Sequence, residues 1–426
     1  MSNQSTKSDD MNDDGMLNAE MQRKLPQGKI LQPKLRFKGF ADPWQQRKLE
    51  ELLIPAKAKN VDGKFTKNDV LSVSGEFGIV NQIALKGKSS AGESVLPYSV
   101  VNWGDAVYTK SPLKEAPYGI IKVNQGRAGI VSTLYAVYTL RQHLIVPVFL
   151  ELYFDSNVRL NNYLKPLVNK GAKNDMKVKN VDVLKGHIHI TPNVVEQARI
   201  AEFFRVLDDR IAAAKKKADL LKLKKRYYLQ AIFSQQLRFK GFTEPWQQRK
   251  YSDYLIESNI PGHDGSEANK LTVKLWGKGV VEKETVIAGS NATKYYIRHT
   301  GQLMYGKLDF LHAAFGLVPP ELDGYESTAD SPAFDILPSA DPDFILMTCL
   351  SEHTYLYQGN LADGSRKAKR VHVPTFLDMS LNVPNIEEQR RIVSFLHIID
   401  KLIAAANHKA EVLIQQKNAY LQRLFV

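Results

Sequence analysis

Several short strings in this 426-residue chain bring chemically able side chains together, and each falls short of a catalytic constellation. Gly87-Lys88-Ser89 has the cation and hydroxyl of a phosphate-binding loop but lacks the upstream glycine that lets backbone amides cradle a phosphate. Pro319-Pro320 stands in Val-Pro-Pro-Glu, not in the Asn/Asp-Pro-Pro-aromatic loop that holds a target base amino group in adenine methyltransferases. Pro342-Asp343 is not followed by Glu-x-Lys at nuclease spacing; the next acid, Glu352, precedes His353-Thr354. His187-Ile-His189 puts two rings on one strand face with no third ligand in view, so they read as surface or core histidines. Gly277-Lys278-Gly279 is too short for a cofactor loop. Cys349 is the only cysteine, which excludes a disulfide framework and a thiolate metal site and points to a reducing cytoplasm. The expectation is a chain with no catalytic residues, no metal and no cofactor of its own.

What remains is positive charge. Lys and Arg exceed Asp and Glu by 13, a surplus that suits a polyanion, because each cation placed on a phosphate releases a condensed counterion. The first half clusters Lys86 with Lys88, Lys110 with Lys114, Lys122 with Arg127, and Lys170, Lys173, Lys177 and Lys179. The second half has Lys274 with Lys278, Lys294 with Arg298, Lys307, and the run Gly364-Ser365-Arg366-Lys367-Ala368-Lys369-Arg370, in which small residues and cations together can wrap phosphates. Any one of these alone is an ordinary solvated charge; as sets they lean towards phosphate contact. Tyr108, Asn124, Gln125, Gln302 and Tyr305 lie among them with groups that can reach base edges.

The elements that must carry these clusters come from a duplication. Leu35-Arg-Phe-Lys-Gly-Phe40, then Ala-Asp-Pro-Trp44-Gln-Gln-Arg-Lys48, returns as Leu237-Arg-Phe-Lys-Gly-Phe242 and Thr-Glu-Pro-Trp246-Gln-Gln-Arg-Lys250. Glu196-Gln197 with Ile200 and Ile211-Ala-Ala-Ala214 return as Glu388-Gln389 with Ile392 and Ile403-Ala-Ala-Ala406. Between these strings, Gly104-Asp105-Ala-Val107-Tyr108-Thr-Lys110 aligns with Gly301-Gln-Leu-Met304-Tyr305-Gly-Lys307. Short alternating runs such as 106–109 and 136–139, punctuated by Gly and Pro, predict strands in a mixed α/β block. The chain therefore divides into a polar, acidic tail over 1–33, read as disordered, a first block over 34–190, a helix over 191–236, a second block over 237–383 and a helix over 384–426.

Both helices begin at Pro-Asn, where Asn193 and Asn385 can cap the first turn, and acids follow at the positive helix end. Apolar residues then recur at alternating four- and three-residue steps. One seam runs Ile200, Phe204, Leu207, Ile211, Ala214, Ala218, Leu221, Lys225, Tyr228 and Ile232; the other runs Ile392, Leu396, Ile399, Ile403, Ala406, Ala410, Leu413, Lys417, Tyr420 and Leu424. Two such stripes on one chain pair most simply with each other, as an antiparallel coiled coil if the halves are related by a pseudo-twofold. About 40 residues make a rod of roughly 60 Å, or roughly 18 base pairs of B-DNA. Lys215, Lys216, Lys217, Lys222, Lys224, Lys225 and Arg226 on the first helix form either its solvated outer face or a face towards DNA.

A duplicated Leu-Arg-Phe-x-Gly-Phe…Trp string, two divergent blocks and two Pro…Glu-Gln-x-x-Ile helices closely resemble the specificity subunits of type I restriction-modification enzymes. The Gly-Asp-Ala-Val-Tyr-Thr-Lys110 string also looks like one in that family's target recognition domains. The resemblance implies an α+β chain: two similar mixed α/β target recognition domains joined by two long helices in an antiparallel coiled coil, an internal pseudo-twofold repeat. It implies that each domain reads one half of a bipartite site in double-stranded DNA. The helices would space the domains and dock two methyltransferase (modification) subunits, through which restriction/translocase subunits join. S-adenosylmethionine, ATP and Mg2+ would belong to those partners. A methylation-only or type II-like system, or a coiled-coil scaffold joining two protein-binding modules, are the alternatives. The longest mostly apolar run, 144–154, is far below the roughly 20 residues of a membrane span, and the acidic N-terminus is unlike a secretory signal. A soluble cytoplasmic protein of a bacterium or archaeon, with no membrane partner, is expected.

Overall fold

A computed structural model of the chain describes residues 32–170, 176–284, 293–361 and 370–426. The tail over 1–33 therefore lies outside the described residues up to position 31, as do Lys173, Arg366, Lys367 and Lys369; Lys177 is described only in its backbone. The architecture is mixed α/β with two long helices, Val194–Phe233 and Ile386–Arg423. The contacts divide the chain into two compact units, one ending at Lys215 but completed by His408–Val426, the other Lys216–Asn407.

The first unit is built on a four-stranded antiparallel sheet in the order Leu53–Pro55, Tyr135–Leu140, Ala106–Thr109 and Ile121–Val123. Two antiparallel pairs accompany it, Leu71–Ser74 with Gly78–Asn81 and Ser99–Val101 with Gly129–Val131. Helices Pro147–Phe154 and Asn157–Leu164 follow, and Gln45–Lys48 pairs with His187–Ile190 just before the long helix begins. His187 and His189 lie on that last strand, His187 exposed and His189 half-buried.

Inside this unit the repeated strings have a mechanical use. Asn193 Oδ1 accepts the amides of Val195 and Glu196, a cap that satisfies two free donors of the first turn. Glu196, fully buried, takes both Nε and Nη2 of Arg36 at 2.7 and 2.8 Å. Gln197, also buried, donates to the carbonyls of Leu144 and Thr191 and accepts the amide of Val146. The Glu-Gln pair thus binds the entry string with one residue and the sheet-to-helix connection with the other. Gly39 sits at φ +94, a left-handed turn that lets the chain reverse between Phe37 and Trp44. Phe37 then meets Phe203, while Trp44 is buried against Phe149 and Phe425.

Phe425 comes from the far end of the chain. Phe203 meets Tyr420 at 5.0 Å, Asp208 takes Lys417 at 2.8 Å, and Ile211 shares a core with Leu413. Rising numbers on one helix meet falling numbers on the other, so the two segments run antiparallel in this unit. The amide of Leu35 donates to the carbonyl of Arg423, tying the entry string to the last helical turn.

The second unit has its own four-stranded antiparallel sheet, in the order Leu255–Ser258, Ala333–Ile336, Leu303–Tyr305 and Phe315–Leu317. A three-stranded sheet of Pro261–Asp264, Lys294–Ile297 and Glu326–Thr328 lies with it, and Gln247–Lys250 pairs with Ser380–Val383. Its internal bonds repeat those of the first unit at matching positions. Arg238 pairs with Glu388, Lys225 with Asp400, Phe239 with Phe395, and Tyr228 with Phe395. Gln389 accepts the amide of Asp341, and Leu237 donates to the carbonyl of Ala231. Gly241 sits at φ +98 and Trp246 meets Phe233 and Phe344.

The seam residues are the buried stripe of each segment. Ile200, Phe204, Leu207, Ile211 and Leu413 are buried in the first unit, and Ile392, Leu396 and Ile399 in the second; Tyr420, Leu221, Tyr228 and Ile403 are half-buried. The two lysines that interrupt the pattern, Lys225 and Lys417, are the ones that reach a carboxylate on the opposite helix.

Candidate nucleic-acid interface

Six residues expected at a DNA surface belong instead to the interior. Tyr108 and Tyr305 are fully buried, and their hydroxyls donate to the carbonyls of Tyr118 and Val371. The reason is the strand they sit on. Ala106, Val107, Tyr108 and Thr109 are all buried, because this strand is central in a sheet covered on both faces and has no outward side. Lys122 is buried too, its Nζ held by Asp155 at 2.6 Å and Glu151 at 3.6 Å. Arg298 is 1% exposed, donating from Nε to Ser327 Oγ and from Nη1 to the Ser258 carbonyl, and burial lowers its pKa to about 10. Asn124 and Gln302 are buried as well, Asn124 donating to the carbonyls of Asn102 and Arg127 and Gln302 to the carboxylate of Asp335 on the strand Ala333–Ile336. Gln125 is exposed but donates to Glu151 at 2.6 Å.

Lys122 therefore has a structural role with a measurable consequence. Lys122→Ala leaves Glu151 and Asp155 facing each other, and burial already raises the pKa of Glu151. A loss of about 2 kcal/mol is expected, below the range for a fully buried pair because Glu151 can take a proton. Amide hydrogen-exchange protection should fall through the sheet of the first unit and hold in the second. Unchanged protection would mean that Lys122 does not hold the two carboxylates in place.

The other described candidates are accessible. Lys86 and Lys88 are exposed at the end of the short helix Gln82–Lys86, and Arg127 on the loop before Gly129–Val131. Lys274 follows the strand Leu271–Val273, and Lys294 opens the strand Lys294–Ile297; both are exposed. Lys307 is half-buried, and its backbone amide donates to the carbonyl of Asp330, whose carboxylate takes the exposed Arg370 at 3.1 Å. Lys110 is half-buried, and burial together with nearby Lys59 lowers its pKa. Lys59, which donates to Ser99 at 2.9 Å, was not singled out by the sequence, where only the Lys57-x-Lys59 alternation marks it.

A cavity of about 740 Å³ in the first unit has six carboxylates in its lining against Lys122, Arg205 and Lys417. Its acidity makes it unsuited to phosphate. Among the described residues no cluster of three or more His, Cys, Asp or Glu is placed to hold a metal ion, and no helix is long and apolar enough to cross a membrane. Cys349 is fully buried, and burial pushes its thiol up to about 12, far from the reactive thiolate range.

No protein-family model matches the chain, and no curated protein sequence matches it. Solved structures do. The S subunit of a type I restriction-modification system from M. genitalium is 12% identical, with 93% of this chain and 99% of that chain covered at a TM-score of 0.53. The HsdS subunit from Thermoanaerobacter tengcongensis is 16% identical over 91% and 98% of the two chains, with a TM-score of 0.51. A chain from a structure on complex assembly and conformational transition of the type I R-M system is 15% identical over 90% and 97%, with a TM-score of 0.54. With nearly the whole length of both chains superposing, this chain has the fold of the type I restriction-modification S subunits.

Proposed function

We propose that the chain is the DNA-specificity subunit of a type I restriction-modification complex and has no catalytic step of its own. The observation that carries this reading is the duplicated set of internal bonds, Arg36–Glu196 with Arg238–Glu388 and Asp208–Lys417 with Asp400–Lys225, in a chain with the S-subunit fold. Two units built alike but bearing different exposed cations suit two recognition domains for two different half-sites. Base readout then depends on the parts in which the units differ, and phosphate contacts fix their register. The paired helix segments act as a pseudo-twofold antiparallel coiled coil that spaces the domains and offers docking faces to two methyltransferase subunits. Restriction/translocase subunits join through these. S-adenosylmethionine, ATP and Mg2+ act on those partners, in the cytoplasm where the DNA is.

The test combines methylation mapping with a change of helix length. DNA from cells with and without the gene should differ in methylation at one bipartite sequence. Removing one heptad from the middle of each helix should shorten the unread gap by about three base pairs, since seven residues rise about 10.5 Å against 3.4 Å per base pair. An unchanged gap would sink the ruler. No gene-dependent methylation, together with no salt-dependent selective binding to duplex DNA, would favour a protein-joining scaffold.

A further inference from the structure

Glu326 lies on the strand Glu326–Thr328 with its carboxylate 3% exposed, and both of its oxygens are spent on one residue. Oε2 accepts the backbone amide of His263 at 2.9 Å, and Oε1 meets the ring Nδ1 at 2.5 Å. The carboxylate reaches His263 through the space at Gly262, where an added Cβ would lie 2.3 Å from Oε2. A buried carboxylate only accepts, so Nδ1–H donates and the ring's free polar atom is Nε2, on a side chain 60% exposed.

Beside the ring is an open pocket of about 430 Å³, with Pro261, Asp264, Lys294, Tyr295 and Tyr296 in its wall; the Asp264 carboxylate is itself held by the amide and hydroxyl of Ser266. The two tyrosine rings are each backed by a cation, Lys270 at 5.5 Å from the ring centre of Tyr295 and Arg298 at 5.4 Å from that of Tyr296. The pocket is open, with three cations around it (Lys294, Lys270 and Arg298) against the carboxylates of Asp264 and Glu326, a balance that suits a phosphate oxygen better than the acidic cavity of the first unit does.

We propose that His263, locked by Glu326, is a phosphate-contact residue of the second unit, its Nε2–H and the Lys294 ammonium together holding one backbone phosphate of bound duplex DNA. This rests on the DNA-specificity reading above. The donor exists only in the imidazolium. The hydrogen bond and charge of Glu326 raise the His263 pKa, Asp264 and Glu267 add to the rise, and desolvation opposes it. The cations nearby are Lys294 in the same wall and Lys270 and Arg298 behind the two tyrosines, and a cation near an imidazole favours its neutral form. A raised pKa means that the contact is complete at lower pH and is lost as pH rises through it.

The test uses the full-length chain and a randomised double-stranded DNA library, with affinity measured from about pH 6 to about pH 8.5 and over a range of salt. Wild-type binding should weaken as pH rises. His263→Gln should lose about tenfold at the low-pH end, reduce the salt slope by about 0.9 and keep the selected sequences, the signature of one lost phosphate. Glu326→Gln keeps the ring but should move the loss of binding to lower pH. Unchanged affinity and slope in His263→Gln would overturn the assignment, as would altered selected sequences, which would make His263 a base reader. A wild-type chain that selects nothing from the library would overturn this inference and the DNA-specificity reading together.

Discussion

Phe425→Ala is expected to destabilise the first unit by about 3–5 kcal/mol, although the residue is next to last in the chain. Chain ends ordinarily fray, and a truncation there costs little. Phe425 is instead a core residue, 3% exposed, with ring centres 5.2 Å from Phe149, 6.0 Å from Trp44 and 6.1 Å from Tyr153, and the Arg159 guanidinium 4.8 Å from its own ring. The repeat explains why. The matching residue, Phe233, fills the same role against Trp246 and Phe344 in the middle of the sequence, where no one would expect fraying. Two units make a single unfolding midpoint ambiguous, so amide hydrogen exchange is the measurement. Protection should fall through the sheet of the first unit and hold in that of the second. Phe425→Leu should recover part of the loss. Equal protection in wild type and Phe425→Ala would mean that the last turn does not complete the first unit.

Arg36→Ala should cost about 3 kcal/mol, the lower end of the range for breaking a buried pair. The substitution leaves the Glu196 carboxylate with no exposed surface and no guanidinium, and the positive end of the helix offsets only part of that cost. Arg238→Ala should do the same in the second unit, where Glu388 is 1% exposed. The informative variant is the double one. Arg36→Ala with Glu196→Gln removes the charge along with its partner and should be milder than Arg36→Ala alone, a coupling of at least about 1 kcal/mol in a double-mutant cycle. Additive losses would show that the two side chains do not hold each other. The same exchange protection, read over the first turns of Val194–Phe233, reports it.

These two predictions bear on what the repeated strings are for. A string recurring in a protein of this charge invites a functional reading, yet Arg36, Trp44, Glu196 and Gln197 are buried or half-buried, with their bonds inside the unit. The strings recur because both units must clamp a helix start and a helix end onto a sheet. The exposed cations, by contrast, differ between the halves in number and spacing: Arg127 has no counterpart at its position in the second unit, where Gly324-Tyr325-Glu326 stands near the matching turn.

The amino-acid sequence by itself determined the duplication, the two long helices with their Asn caps and uninterrupted seams, and the surplus of positive charge. These are local or periodic properties, and a helix is specified within its own few turns, so they can be read along the chain. Which polar residues face solvent was decided only by the tertiary structure. Tyr108, Lys122 and Tyr305 were withdrawn from the surface because their strands are covered on both faces, and Arg298 because Ser258 and Ser327 hold its guanidinium inside; both are set by elements distant in sequence. His263 and Glu326 were brought together across 63 residues by strand pairing and the missing side chain of Gly262. Burial and long-range pairing depend on which surfaces meet in three dimensions, and no spacing along the chain encodes that meeting.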